Sequence, residues 1–266
     1  MNNAPIGVFD SGIGGLTVAR SIYERLPHES TIYFGDTARV PYGPKSPETV
    51  RRYSLEILEW LVAQGVKAVV IACNTSTAHA LPALQAASPV PVLGVIEPGA
   101  RAAVAAAGRG PIGVIGTAGT VASGAYARAI HAIEPAAAVL QRACPLFVPL
   151  AEEGWFDHQA TSLVAEEYLH ELRDAGVAAL VLGCTHYPLL KPLLQRVIGP
   201  TTTLIDSGEA TAEALERVLC DRGIAAGAAG RATHRFVVSD DEARFRQVGS
   251  RFLGDRLNGA EVVPLG

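Results

Sequence analysis

The chain has 266 residues, 49% hydrophobic and 18% charged, with a formal net charge of −4. That length can bury a real core as one large domain or two small ones, and the composition excludes a disordered chain. The mild acidity and the scattered basic residues, among them only the three lysines Lys45, Lys67 and Lys191, argue against a nucleic-acid partner, and no apolar run reaches membrane-spanning length.

The stretch Met1-Asn2-Asn3-Ala4-Pro5 has neither a basic segment nor a long apolar one. No secretory leader is expected, and the reading is a cytoplasmic protein. In such a compartment the four cysteines, Cys73, Cys144, Cys184 and Cys220, are expected to be free thiols. Short apolar runs then alternate with helical patterns, the signature of a parallel α/β sheet. The expected strands are Ile6–Phe9, Thr31–Phe34, Ala68–Ala72, Val92–Ile96, Ile112–Ile115, Leu146–Pro149, Ala179–Leu182 and Thr203–Ile205. Their near-continuous Val/Ile/Leu content suits strands buried on both faces. Helices are expected at Pro47–Gln64 and His158–Ala175, ended by Gly65 and Gly176 in left-handed caps. The tail adds a helix at Gly208–Arg222, a strand near Arg235–Val238, a helix at Asp241–Leu253 and a strand near Glu261–Val263.

An internal repeat runs through this order. Pro5-Ile6-Gly7-Val8-Phe9 returns as Pro111-Ile112-Gly113-Val114-Ile115. Gly65 through Cys73 returns as Gly176 through Cys184, and Ile96-Glu97-Pro98-Gly99 is echoed weakly by Ile205-Asp206-Ser207-Gly208. The expected fold is α/β, with two similar domains. Each is a mainly parallel sheet flanked by helices, the two are related by a pseudo-twofold axis, and the active site lies between them. The first domain takes residues 1–97 plus 208–266, and the second takes 98–207.

Chemistry in such sheets collects at the carboxyl ends of strands, and each half closes one strand in a cysteine. Cys73-Asn74-Thr75-Ser76-Thr77 has the residues of a helix N-cap, a position that lowers a thiol pKa and seats a carboxylate. Cys184-Thr185-His186-Tyr187-Pro188 is its counterpart, with His186 placed to tune the thiol or carry its proton. Either cysteine alone reads equally as buried filler; recurrence at the same strand end favours function. Cys144 and Cys220 lack that setting and read as structural. Cys-x-His could be half of a metal site, but no second Cys/His cluster accompanies it, so no metal is expected.

Asp10-Ser11-Gly12-Ile13-Gly14-Gly15 resembles a dinucleotide loop poorly, because Thr17 stands where the third glycine belongs. It reads better as a polar substrate seat, with Asp10 beside a thiol as proton partner. Asp36, the loop Pro41-Tyr42-Gly43, Thr117 and Thr120 after the repeated first strand, and Glu152 complete the candidates. Two opposed thiols suit inversion at an amino-acid α-carbon, one removing a proton and the other returning one. No lysine sits in a motif suggesting a pyridoxal Schiff base, so no cofactor is expected.

The sequence resembles the bacterial glutamate racemases. The resemblance runs from Ile6-Gly7-Val8-Phe9-Asp10-Ser11-Gly12 to Asp206-Ser207-Gly208. It includes Gly35-Asp36, Pro41-Tyr42-Gly43, Ala72-Cys73-Asn74-Thr75, Gly116-Thr117, Val148-Pro149-Leu150-Ala151-Glu152 and Gly183-Cys184-Thr185-His186-Tyr187-Pro188. It implies interconversion of L- and D-glutamate for peptidoglycan synthesis, with Cys184 deprotonating the L-isomer and Cys73 the D-isomer. Asp10, Glu152 and His186 would assist. Asp10, Ser11, Tyr42, Gly43, Asn74, Thr75, Thr117, Thr120, Thr185 and His186 would contact substrate. It also implies a homodimer. Family members regulated by a cell-wall precursor carry an N-terminal extension before the first strand, so that regulation is not expected here. Two rival readings are an aspartate or related amino-acid racemase on the same architecture, and a non-catalytic metabolite-binding protein with incidental cysteines.

Overall fold

The computed structural model describes residues 2–227, 232–257 and 259–265. In chain order the elements are β1 (Ile6–Asp10), α1 (Leu16–Arg25), β2 (Thr31–Gly35), α2 (Pro47–Ala63), β3 (Ala68–Ile71), α3 (Asn74–Ala87), β4 (Val92–Gly94) and α4 (Ile96–Ala107). There follow β5 (Ile112–Gly116), α5 (Ala118–Ala122), α6 (Ala125–Ile133), β6 (Val139–Ala143), α7 (Phe147–Glu152), α8 (Gln159–Asp174) and β7 (Ala179–Gly183). A 3₁₀ turn (Tyr187–Leu190), α9 (Lys191–Ile198), β8 (Thr203–Asp206), α10 (Ser207–Asp221), β9 (His234–Val238), α11 (Glu242–Leu253) and β10 (Glu261–Val262) complete the chain.

Two parallel sheets result. The first has the order β10-β9-β2-β1-β3-β4 and the second β6-β5-β7-β8. The inner order β2-β1-β3-β4 is thus repeated, and so is the register. Ile6 pairs with Ala68 as Ile112 pairs with Ala179, which are equivalent positions of the sequence repeat. Both central strands of each half are buried along their length, as their unbroken apolar runs require. Each sheet is covered on both faces. The first packs α1, α10 and α11 on one side and α2 with α3 on the other. The second packs α7, α8 and α9 against one face and α4 with α6 against the other.

Local signals explain the helix ends. Ser46 caps α2 by accepting the Thr49 N–H, and Pro47 opens the helix, where its missing N–H is not needed. Gly65 and Gly176 close α2 and α8 with φ of +75° and +63°, a conformation that costs other residues their Cβ clearance.

One expected strand is wrong. Leu146–Pro149 does not form a strand; Phe147–Glu152 is the short helix α7, and the strand is β6, Val139–Ala143. The cause is the strand's composition. β6 is an edge strand, half-buried throughout and carrying Gln141 and Arg142, so it lacks the apolar run that marks the central strands. Cys144 therefore does follow a strand directly, contrary to the sequence reading.

Candidate active site

The two thiol turns are built alike but not identically. Cys73 follows β3 and is the N-cap of α3, its Sγ accepting the Ser76 N–H at 3.4 Å. Cys184 follows β7, but the chain then enters a 3₁₀ turn, whose N-cap residue His186 makes no side-chain cap. The helix-terminus argument therefore holds for Cys73 alone. The partner of Cys184 is His186, whose Nδ1 lies 3.9 Å from Sγ.

Between them runs the turn after β1. Asp10 is buried; its Oδ2 accepts the Gly12 N–H at 3.0 Å, while Oδ1 has no partner. A buried carboxylate oxygen left open is costly unless a ligand or proton completes it. Burial raises the Asp10 pKa against the pull of His186 and the turn N–H groups. The turn touches the second half directly. A Cβ at Gly14 would lie 2.3 Å from Thr185 Oγ1 and 2.5 Å from the His186 ring. Thr17 Oγ1 donates to the Thr185 carbonyl at 3.0 Å.

The electrostatics differ between the thiols. Burial, and then the negative charge of Asp10, push Cys73 up to about 11, although the Ser76 N–H and hydroxyl and the Ser11 hydroxyl oppose this. The expected lowering by the helix terminus is thus outweighed by desolvation. His186 is also buried, which disfavours its cation. Contacts to Cys184 and Glu152 outweigh that and raise it to about 10. Its Nε2 meets Glu152 Oε1 at 3.1 Å. Burial raises the Glu152 pKa, but His186 and Arg244 overcome this and lower it.

The remaining candidates fall into two groups. Thr75, Thr117 and Thr120 join their hydroxyls across the halves at 2.9, 3.2 and 3.0 Å. Gly43 closes on them, its carbonyl accepting the Gly119 N–H at 3.0 Å, and Tyr42 packs against Cys73. Asn74 Oδ1 accepts from Tyr126 OH at 2.7 Å. Asp36 is different. It is fully buried and engaged by Arg39 at 2.7 Å, Ser239 at 2.8 Å and the Tyr42 hydroxyl. It anchors the loop that carries Tyr42. Pro41 is exposed in that loop.

Sequence reasoning missed Tyr126 and Arg244. Both sit on helices whose pattern marks no site. Cys144 is buried with Sγ directed at the Arg142 carbonyl at 3.6 Å, and its own carbonyl accepts from Tyr187. Among the described residues no cluster of three His, Cys, Asp or Glu could hold a metal ion. No helix among them is long and apolar enough to cross a membrane. A surface groove of about 950 Å³ runs along β4 between α3, α4 and α10, and none of the candidate residues lines it.

Fold and site together define a two-lobed parallel α/β protein in which each lobe brings one strand-end thiol to a shared acid–base cluster. The chain belongs to the Asp/Glu/hydantoin racemase family, whose profile matches residues 6–215. It is 55% identical to a glutamate racemase of Geobacter metallireducens over 98% of this chain and 96% of that one. Its fold matches the crystal structure of a glutamate racemase isoform from Bacillus anthracis with a TM-score of 0.93 at 40% identity, over 100% and 98% of the two chains. It also matches a Francisella tularensis glutamate racemase in complex with D-glutamate, with a TM-score of 0.93 at 39% identity over 100% and 99%.

Proposed function

We propose that this protein interconverts L- and D-glutamate by two thiol bases and without a cofactor, supplying D-glutamate for peptidoglycan in the cytoplasm. The observation that carries the reading is the pair of buried thiols at equivalent strand ends, one beside Asp10 and one beside the His186–Glu152 pair. The substrate is argued from the relatives, which are glutamate racemases over nearly the whole chain. We read the chain as two units, 1–97 with 208–266 and 98–207, acting as a homodimer.

In the forward direction Cys184, as thiolate beside the His186 cation, takes the α-proton of L-glutamate. The electron pair stays on the α-carbon as a carbanion, conjugated with the carboxylate. Cys73 returns its own proton on the opposite face and becomes the thiolate. Its raised pKa keeps it protonated and ready as the acid near neutrality. The substrate ammonium fits the open Oδ1 of Asp10, which also screens the charge that holds Cys73 neutral. Ser11 and Thr185 border the reacting carbon. The first-turn N–H groups of Asn74 and Thr75, with the Thr117 and Thr120 hydroxyls, seat the carboxylates.

The test is incubation of purified protein with L-glutamate in heavy water. Loss of optical rotation with α-deuteration is expected, and neither would appear if the protein only binds metabolites. A faster rate with L-aspartate would reassign the substrate. Cys73→Ala and Cys184→Ala should each lower racemisation by about 10²–10⁴-fold, the range for a general acid or base; activity retained by either removes the two-base scheme.

A further inference from the structure

The Glu152 carboxylate has two oxygens, and the scheme above uses one. Oε1 meets His186; Oε2 accepts from Arg244 Nη2 at 3.3 Å. Arg244 lies on α11, and the same helix holds Glu152 a second time, because Arg251 donates to the Glu152 backbone carbonyl. Arg251 also rests on Gly154, where a Cβ would stand 3.0 Å from its guanidinium carbon. Phe252 places its ring edge-on to His186, with centroids 5.7 Å apart. The same helix is anchored in the first core through Phe245, Val248, Phe252 and Leu253. One helix of the first sheet's layer thus grips the acid–base pair of the second.

We propose that Arg244 is a positioning residue for the racemisation, holding Glu152 on His186 and thereby setting how firmly His186 keeps its proton beside Cys184. This rests on the reading of Cys184 as a base. The charged and titratable groups around the pair are Cys184 and Asp10 on the His186 side, and Arg244 and Arg251 on the Glu152 side. Arg244 is 56% exposed, so water screens its charge and its effect is orientation. The two roles differ in sign. Loss of a nearby cation would favour the imidazolium and raise the His186 pKa. Release of Glu152 from its second anchor would loosen the imidazolium's partner and lower it.

The experiment compares wild type, Arg244→Gln, Arg244→Lys and, as a control on the same helix, Arg246→Gln. The His186 ring nitrogens are followed by NMR through an alkaline titration of the free protein. The midpoint should fall in Arg244→Gln, return in Arg244→Lys and stay in place in Arg246→Gln. A racemisation has an equilibrium constant of one, so kcat/KM must drop equally in both directions, by about fivefold or less for a half-exposed pair. The α-deuterium isotope effect should rise with L-glutamate and not with D-glutamate, because the Cys184 step is the one slowed. An unchanged or raised midpoint in Arg244→Gln, or an equal fall in Arg246→Gln, overturns the proposal. The titration needs no substrate. A wild type inert toward glutamate would sink the functional reading, while the ring midpoint still decides for or against Arg244.

Discussion

Single atoms decide whether the two thiol turns can share one substrate. Gly14 is the plainest case, since a methyl group there would stand well inside contact distance of Thr185 and His186. Neither neighbour can retreat easily, because His186 is also held by Glu152 and Thr185 by Thr17. Gly14→Ala should therefore destabilise the fold by about 1–3 kcal/mol, the range for overpacking, and depress activity beyond that loss by moving His186 off Cys184. Urea unfolding and racemisation rate measured together check this; full activity would mean the two turns have slack.

His186 gives a pH signature as well. Its pKa of about 10 in the folded protein stands above the ordinary 6.5, so the folded state keeps a proton that the unfolded chain releases. The resulting stabilisation is complete below pH 6.5 and is lost as pH rises toward about 10. Cys73, raised from 9.0 to about 11, adds a slope of the same sign, but only above pH 9. Between pH 6.5 and 9.0 the fall in urea midpoint should therefore shrink in Glu152→Gln, which removes the anion facing the imidazolium. An unaltered slope would show that His186 is neutral in the native protein.

Elements were legible where an apolar run or a repeat marked them, edge strands β4, β8 and β10 included, and β6 was the exception. β1, β3, β5 and β7 sit at the centre of their sheets, and their apolar runs and repeat identified them within a residue or two. β6 shares its register with the equivalent strand β2, Ile112 pairing Val139 as Ile6 pairs Thr31. It is nevertheless a half-buried edge with polar side chains, so its place was misassigned to the apolar turn of α7. The site shows the same division. Cys73 and Cys184 were visible because a repeat doubled them. Asp36 was a candidate because it follows a strand, and in the structure Arg39, Tyr42 and Ser239 engage it. Tyr126 left no trace, since a lone tyrosine on an alanine-rich helix is ordinary core. The structure gives it a role between elements, tying α6 to the first turn of α3 through Asn74. Tyr126→Phe should cost about 1–3 kcal/mol by leaving a buried amide oxygen unpaired. Calorimetry against wild type reads the loss; a change near zero would mean water replaces the hydroxyl.

At the scale of the whole molecule, the conformation described is closed. Cys73 and Cys184 are 5% and 6% exposed, so a substrate with two carboxylates cannot reach them while the lobes stay in contact. The polar contacts between lobes include Gly119 to Gly43, Thr75 to Thr117 and Thr120, Thr17 to Thr185, Tyr126 to Asn74, and Arg244 and Arg251 to Glu152. Each neutral contact contributes about 0.5–1.5 kcal/mol net, so opening at the Gly43–Gly119 side, away from the α11 grip on Glu152, breaks only a few of them and belongs to the microsecond-to-millisecond scale of domain motions. Bound glutamate would bridge both lobes and shift the population toward the closed form. The Gly119 amide, which donates across the lobes, should exchange with solvent faster than the core strands in the free protein. It should slow markedly with D-glutamate bound, whereas the β1 and β5 amides stay protected in both states. Hydrogen-exchange mass spectrometry on the peptide spanning α5 measures this. Identical exchange with and without ligand would exclude lobe opening as the route of entry.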